Sequence, residues 1–168
     1  MKNSIKWYPK PADVKELESA ATLIQSFVSN DTARRSHNKG YYIWKLNNNP
    51  FGLGKMWIIK DKCQIVGTVS FTPKRLYING ILNQGVELCD GFTHPEYQKQ
   101  GIFSTLLNMT SYNPIDGEIA FIYGTPNEQA LPVEKKAGYR VIPSAQVCNL
   151  VLPLNISSVM GFNFVDKL

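Results

Sequence analysis

The sequence predicts one domain of mixed α/β class, and three observations lead to that prediction. A helical pattern opens the chain, alternating apolar segments follow, and the second half alternates strand-like and helix-like stretches. The 168 residues fit one domain, and their 43% hydrophobic and 18% charged content is typical of a globular chain. No repeat, low-complexity segment or linker divides the sequence. We therefore expect a single unit over residues 1–168, with its core at about 13–152.

The chain begins with two predicted helices. Apolar residues recur at helical spacing within residues 13–28. Asp13 can cap this helix, and Glu16 completes a pair that resembles a capping box. A second helical piece covers about residues 32–46 and ends in an Asn-rich loop that contains Pro50.

Two hairpins are predicted next. Residues 56–60 and 63–72 flank the short Asp61-Lys62 turn, which indicates an antiparallel pair of strands. Residues 75–84 carry Asn79-Gly80 between two apolar pairs. Asn-Gly between apolar runs is the strongest short hairpin signal in the chain, because both residues tolerate positive φ.

The second half is predicted to alternate strands and helices. The predicted strands are 86–93, 118–124, 139–142 and 147–152, and the predicted helices are 101–112 and 127–137. Asn127 is a suitable cap for the last helix and Gly138 a suitable stop. Pro132 falls in mid-helix under this prediction and should kink the helix or cost a hydrogen bond.

Composition limits the class of partner. The net charge of +5 favours anionic partners. The basic residues are scattered, so the sequence favours a solvated basic surface over a nucleic-acid-binding one. The longest apolar runs are too short to span a bilayer, and the N-terminus has no signal-peptide core. We therefore expect a cytoplasmic protein that does not enter a membrane.

The cysteines argue against zinc and against a disulfide framework. Cys63, Cys89 and Cys148 lie far apart, with no CxxC pair and no paired histidines. Each lies in an apolar, strand-like stretch, so we expect three buried, inert thiols. No metal site is predicted.

The turn between strand 86–93 and helix 101–112 has the character of an anion cradle. A helix start leaves backbone N–H groups unpaired, and a glycine lets an anion approach them. Amides from Gln98 to Ser104 can donate to a pyrophosphate, and the side chains of Lys99 and Ser104 can add contacts. A plain helix start with a polar turn explains the same pattern. The stretch has neither a P-loop nor a dinucleotide fingerprint.

Two stretches of the chain carry a family resemblance. THPEYQKQGIFSTLL contains Gln98 and Gly101, and NEQALPVEKKAGYRVI contains Asn127, Ala130 and Gly138-Tyr139. The first resembles the acyl-CoA motif [QR]-x-x-G-x-[GA] of the GNAT N-acetyltransferases, and the second resembles their later signature. The resemblance covers about residues 13–152. It implies a mostly antiparallel central sheet with a splayed strand pair, flanked by helices.

The resemblance also implies a co-substrate, acetyl-CoA or another acyl-CoA, used without a metal. The implied binding residues are Phe92, Thr93, Gln98, Lys99, Gln100, Gly101, Ile102, Phe103, Ser104 and Asn127. A capping role explains Asn127 equally well. Phe103 departs from the motif, which has Gly or Ala there. Glu134 stands where many members carry a Tyr that acts as general acid, and the adjacent Lys135 and Lys136 suggest a solvated face, so we assign Glu134 no role.

The chemistry that the resemblance implies is direct acyl transfer to an amine in a ternary complex. A backbone N–H near Phe92 or Thr93 would polarise the thioester carbonyl. Glu87 lies eleven residues before Gln98, the spacing of the strand glutamate that serves as base in one branch of the family. Asp90 is a second candidate, although a regular strand would turn it to the opposite face from Glu87. Paired structural carboxylates explain both residues equally well.

The acceptor is expected to bind near the first two helices. Arg35, Tyr41, Tyr42 and Trp44 lie there, a set that suits an anionic or sugar-nucleotide amine, although such aromatics are often core residues. A small-molecule amine acceptor is the expected partner, and a homodimer through exposed strand edges is a further expectation. The alternative function is a non-catalytic GNAT-fold module that binds acyl-CoA or serves regulation.

Overall fold

The computed structural model describes residues 7–28, 37–111, 115 and 119–143. The strands are β1 (Lys10–Pro11), β2 (Lys55–Asp61), β3 (Gln64–Ile78), β4 (Ile81–Thr93) and β5 (Phe121–Gly124). The α-helices are α1 (Val14–Phe27), α2 (Lys39–Tyr42), α3 (Ile102–Leu107) and α4 (Leu131–Lys136). A π-helical turn, Ile43–Asn47, continues α2, and 3₁₀ turns lie at Pro95–Tyr97 and Asn108–Ser111. The predicted mixed α/β fold is confirmed.

The five strands form one sheet in the order β1-β2-β3-β4-β5. Every neighbouring pair is antiparallel except β4 and β5, which run parallel. The parallel pairing ends at Leu88 and Gly124, while β4 continues to Thr93. The predicted mostly antiparallel sheet is therefore present, and β4 extends beyond β5 where their pairing stops.

The predicted hairpin at Asn79-Gly80 is confirmed. Both residues have positive φ, 51° and 78°, as a tight two-residue turn requires. β3 and β4 are longer than the predicted segments, because β3 runs through Pro73 without a break. β2 pairs with β3 only as far as Phe71, so Pro73 has no β2 partner that its missing N–H would deprive.

A β-bulge interrupts β4. The pair Thr68–Phe92 is followed by Ser70–Cys89, so β4 uses one more residue than β3 over this step. Asp90 lies within that step and has φ +52°, the left-handed region that a non-glycine residue rarely adopts.

The sheet separates two apolar clusters. One packs β3 and β4 against α3, and Gly67 permits the close approach because a side chain there would collide with Ile102. The other packs α1, α2 and the π-turn against β2, with Tyr42 and Leu46 fully buried. The second helical piece was predicted over residues 32–46. Its described part consists of α2 and the π-turn. The turn is π-helical because Asn48 N–H bonds to the Ile43 carbonyl five residues back.

The caps of two helices are as predicted. Asp13 accepts hydrogen bonds from the N–H groups of Lys15 and Glu16, and the Glu16 carboxylate accepts from Asp13 N–H. At the end of α4, Gly138 has φ +97° and its N–H bonds to the Lys135 carbonyl. Tyr139 N–H bonds to the Glu134 carbonyl, which completes a Schellman motif.

Of three expectations for the C-terminal part, two need correction and one concerns residues that the structure does not describe. Pro132 occupies the first turn of α4, where its missing N–H is harmless, because the helix begins at Leu131 and not at 127. Residues 139–142 are irregular and not a strand, since the Schellman motif turns the chain back on the helix end. The predicted strand 147–152 lies outside the described residues.

Candidate functional site

A cavity of about 280 Å³ lies between the end of β4, the start of α3 and the turn that leads into α4. Its lining residues are Gly91, Thr93, Gln98, Lys99, Gly101, Ile102, Phe103, Ser104, Asn127, Gln129, Ala130 and Val133. The cavity opens where β4 has run past the end of β5. Its volume is close to the lower end of the range for small-molecule pockets, about 300–1,000 Å³.

Backbone amides line the loop side of this cavity. Lys99 and Gly101 both have positive φ, 61° and 84°, which turns the chain sharply before α3. Thr105 is the first residue of α3 whose N–H bonds back to a helical carbonyl, that of Gly101. The N–H groups of residues 101–104 thus have no intrahelical partner, and such a concave turn suits an anion. A side chain at Gly101 would meet no atom within 4 Å.

Eight of the ten residues predicted from the acyl-CoA motif line the cavity. The two exceptions are Phe92 and Gln100. Phe92 packs against Phe27 in the second apolar cluster, with ring centroids 5.2 Å apart. Gln100 turns away, because its side chain donates to the Glu96 carbonyl and its own carbonyl accepts from Trp7 Nε1. Only the backbone of these two residues remains relevant to a ligand.

Phe103, the departure from the motif, packs over Gly91. A Cβ atom on Gly91 would lie 2.8 Å from Cε2 of Phe103, so the ring fills the space of a missing side chain. No local sequence pattern predicts this pairing, since the two residues belong to different elements.

The N-cap of α4 is Ala130 without a side-chain cap bond, so Asn127 does not cap the helix as predicted. Asn127 stabilises the turn that precedes α4. Its Oδ1 accepts hydrogen bonds from the N–H groups of Gln129 and Ala130 at 3.1 and 2.9 Å. The side chain also borders the cavity, which leaves its amide nitrogen as the group available to a ligand.

On the opposite face of the sheet, β4 presents a polar cluster toward the π-turn. Lys45 Nζ lies 2.7 Å from Asp90 Oδ2, and the two side chains are only 10% and 9% exposed. Ser70 Oγ donates to the same carboxylate oxygen. Burial opposes the charge of Lys45, but the charges and hydrogen bonds of Asp90 and Cys89 together outweigh it, so the pKa of Lys45 is raised.

The bulge brings Glu87 and Asp90 to one face. Ser70 contacts both Asp90 and Cys89, and the cross-strand partner of Glu87 is Thr72, which also contacts Cys89. Cross-strand partners point to the same side of a sheet. The expectation that the two carboxylates lie on opposite faces, made for a regular strand, therefore does not apply.

Glu87 is the more accessible carboxylate. Its side chain is 25% exposed and lies 3.2 Å from Lys74 Nζ. Its partner in β5 is Tyr123, whose pKa is raised by burial and by the charge of Glu87. Tyr123 and Lys45 are site residues that the sequence did not suggest, since neither belongs to a motif.

The predicted acceptor residues separate into three groups. Tyr42 is fully buried, and burial with the charge of Asp90 raises its pKa, so its ring offers no surface to an acceptor. Tyr41 is half-buried and Trp44 is 60% exposed, with ring centroids 6.2 Å apart. Arg35 lies outside the described residues.

Glu134 is buried, contrary to the solvated face that its lysine neighbours suggested. It is 6% exposed, and burial raises its pKa. Its Oε2 lies 3.7 Å from the position of a Cβ on Gly124, the last residue of β5. The helix turns Glu134 toward the sheet while Lys135 and Lys136 remain exposed.

Two cysteine positions are described. Cys89 is half-buried and contacts Ser70 Oγ and Thr72 Oγ1 at 3.3 and 3.4 Å. Cys63 is exposed, so its predicted burial is wrong, because the β2–β3 turn falls at Lys62-Cys63 and not at Asp61-Lys62. Cys148 lies outside the described part of the chain.

The described residues contain neither a candidate metal cluster nor a helix that could cross a membrane. In these ranges, no three His, Cys, Asp or Glu side chains are grouped to hold a metal ion. No helix among residues 7–28, 37–111 and 119–143 has the length and apolar character needed to cross a bilayer.

The mostly antiparallel sheet with its β4–β5 divergence, and the cavity at that divergence, form the arrangement that the sequence resemblance implied. A family model described as the acetyltransferase (GNAT) domain matches residues 10–142. The chain belongs to the GNAT acetyltransferase family, as the two sequence stretches indicated.

Solved structures share the fold. A predicted acetyltransferase from Clostridium acetobutylicum, determined with acetyl-CoA, matches with TM-score 0.66 at 18% identity, over 86% of this chain and 96% of that one. The aminoglycoside 6′-N-acetyltransferase of Acinetobacter haemolyticus matches with TM-score 0.65 at 13% identity, over 87% and 99%. Glucosamine-6-phosphate N-acetyltransferase of Arabidopsis thaliana matches with TM-score 0.61 at 7% identity, over 89% and 99%. A search of curated proteins found no match.

Proposed function

We propose that the protein is an acyl-CoA-dependent N-acyltransferase that transfers an acyl group, most simply acetyl, to a primary amine of a small molecule or sugar. The observation that carries the proposal is the cavity at the β4–β5 divergence, bordered by the unpaired amides of residues 101–104. It lies in a chain of the GNAT family, and one similar structure was determined with acetyl-CoA.

The residues present fit an acyl-CoA. The left-handed turn at Lys99 and Gly101 directs amides toward the cavity, where a pyrophosphate would accept from them. Lys99 adds a positive charge at the same place. The groove along the end of β4 would take the pantetheine arm, with Thr93 on one side and the Phe103 ring, packed over Gly91, as part of its wall.

The acyl group passes directly from the thioester to the amine, without a covalent enzyme intermediate. The lone pair of a neutral amine attacks the thioester carbonyl, the C–S bond breaks, and the CoA thiolate leaves. A backbone N–H near Phe92 or Thr93 stabilises the developing oxyanion. The amine proton passes to a base, and Glu87 is the proposed base, directly or through water, because it is half-buried and borders the divergence.

The acceptor would bind between the exposed aromatic surface and β4. Tyr41 and Trp44 provide the aromatic surface, and Glu87 lies on the β4 face that looks toward the π-turn. A carboxylate next to an aromatic wall suits an amine that arrives protonated.

A non-catalytic acyl-CoA-binding module is the second candidate. Two departures favour it: Phe103 fills space over Gly91, and Glu134 replaces the phenol that many relatives carry. Both candidate functions predict acyl-CoA binding, so a measurement of turnover distinguishes them.

The test begins with calorimetric titration of acetyl-CoA into the intact protein. We expect micromolar binding, and a loss of at least tenfold in Gly101→Trp, because the indole would enter the anion cradle. Gly80→Trp is the matched control: Gly80 also has positive φ and open space around it, but lies in the distant β3–β4 turn. Equal binding by Gly101→Trp would remove the assigned cradle. Release of free CoA thiol with a panel of amines then distinguishes an enzyme from a binding module.

A further inference from the structure

The ion pair of Lys45 and Asp90 joins the π-turn to the β4 bulge. The two charged atoms are 2.7 Å apart, and both side chains are almost fully buried. The backbone of Asp90 is also bonded to β3, because Thr68 Oγ1 donates a hydrogen bond to the Asp90 carbonyl at 2.8 Å. Ser70 Oγ donates to the carboxylate. Asp90 is thus held through both its backbone and its side chain.

The backbone of Asp90 needs such support. A non-glycine residue at φ +52° is strained, and it persists only where its surroundings fix it. The bulge adds one residue to β4. The register between β4 and β3 at Phe92 and Thr93 is therefore shifted by one residue relative to the part of β4 before Asp90. The direction of the amides at 92 and 93 therefore depends on the conformation at Asp90.

The π-turn places Lys45 where it can make this contact. The five residues Ile43–Asn47 form a wider turn than an α-helix, closed by the bond from Asn48 N–H to the Ile43 carbonyl. Lys45 is buried in this turn, while Trp44, its neighbour, is exposed. Such turns are uncommon and often occur at functional sites.

We propose that Lys45, Asp90 and Ser70 form a positioning lock that fixes the β4 bulge and thereby aims the backbone N–H of Thr93, which points away from β3, at the thioester carbonyl. This inference rests on the proposed function. It also assigns Asp90 a structural charge and not the role of general base, because Lys45 and Ser70 engage its Oδ2. Lys45 and Ser70 act through Asp90 and touch no substrate.

The first readout is the ¹³C resonance of [1-¹³C]acetyl-CoA bound to the protein, which reports polarisation of the thioester carbonyl. Single variants leave a buried charge unpaired, so the decisive variant is the double substitution Lys45→Met with Asp90→Asn, which removes both charges. Asn tolerates positive φ as Asp does, so the backbone remains accessible. We expect acetyl-CoA affinity within about threefold of the wild type, and a carbonyl resonance that returns at least halfway to its free position. Lys45→Arg should keep the bound position.

The second readout needs no ligand. In the free protein, the ¹⁵N and ¹H resonances of Gly91, Phe92 and Thr93 should move in the double variant, while those of the Asn79-Gly80 turn should not. Lys39→Met is the control, since Lys39 forms an exposed ion pair with Glu18 at 2.9 Å. Failure of the wild type to bind acetyl-CoA would refute the proposed function, and the free-protein resonances would still decide the lock.

Turnover distinguishes a lock from a base. If Asp90 were the base, removal of Lys45 would free its carboxylate, and Lys45→Met would keep or increase turnover. A lock predicts that Lys45→Met lowers kcat at least tenfold with little change in the KM for acyl-CoA. Unchanged carbonyl and amide resonances in a folded double variant would overturn the lock.

Discussion

The carboxyl group of Glu134 is buried at the end of β5, with 6% of the residue exposed. Burial raises its pKa above the ordinary value of 4.5, so the folded protein holds this proton more tightly than the unfolded chain. The stability that this group contributes is therefore complete below the unfolded pKa, and it is lost as pH rises through the folded pKa.

We predict that Glu134→Gln has little effect at pH 4 and stabilises the protein at pH 8, by about 0.5–2 kcal/mol. Chemical denaturation at both pH values measures the difference in the free energy of unfolding. Glu128→Gln, an exposed position before α4, is the control and should change little at either pH. A destabilised Glu134→Gln at pH 8 would show that the charged form has a stabilising partner.

A second prediction at the residue scale concerns Gly91 and Phe103. A methyl group at Gly91 would lie 2.8 Å from the Phe103 ring, so the ring must shift, and both residues line the cavity. We predict that Gly91→Ala weakens acetyl-CoA binding about tenfold and costs about 1–3 kcal/mol of stability by overpacking. Adding Phe103→Ala should recover much of the binding, because the ring is then absent. Calorimetry on the three variants tests this, and additive losses would contradict it.

At the scale of elements, the outer part of the β3–β4 hairpin is unusual. Beyond Phe71, β3 has no β2 partner, and β4 pairs with β5 only from Gly85 onward. The remaining ribbon exposes five large apolar side chains, namely Leu76, Tyr77, Ile78, Ile81 and Leu82. A two-stranded ribbon of this kind is marginally stable in water.

We predict that amides of residues 75–83 exchange with solvent at least a hundredfold faster than those of Val66–Phe71 in the same β3 strand. The central segment pairs on both sides, whereas the ribbon has only its own two strands. Hydrogen exchange followed by NMR or mass spectrometry gives both rates. Protection of the ribbon that appears only at high protein concentration would be the signature of the predicted homodimer.

Local signals predicted the elements that depend on local chemistry. Asn79-Gly80 needs positive φ, Asp13 and Glu16 satisfy a helix start, and Gly138 ends α4, so each could be read from a few neighbouring residues. The π-turn and the bulge could not be predicted in this way. The π-turn and the bulge meet through Lys45 and Asp90, which are 45 residues apart, and no local pattern reveals such a contact.

At the scale of the whole molecule, order along the chain and two short motifs were enough for the fold and for most of the cavity lining. Motif spacing carried this information because the loop that borders the cavity presents backbone amides, which demand little of the side chains except at Gly101. The opposite face of the sheet depends on side-chain pairs between distant elements. That is why Lys45, Tyr123 and the burial of Glu134 required the structure.

The whole-molecule charge leads to the last prediction. A net charge of +5 attracts the polyphosphate of a CoA ester, and salt shortens the range of that attraction from about 10 Å at 0.1 M to about 3 Å at 1 M. We predict that acetyl-CoA affinity falls on the order of tenfold between these salt concentrations. Lys99→Gln should weaken binding at 0.1 M and flatten the salt dependence. Lys62→Gln removes the same charge from an exposed turn residue that also has positive φ but does not line the cavity, so it should resemble the wild type. Equal effects of the two substitutions would mean that net charge alone attracts the ligand, and Lys99 would lose its role in the cradle.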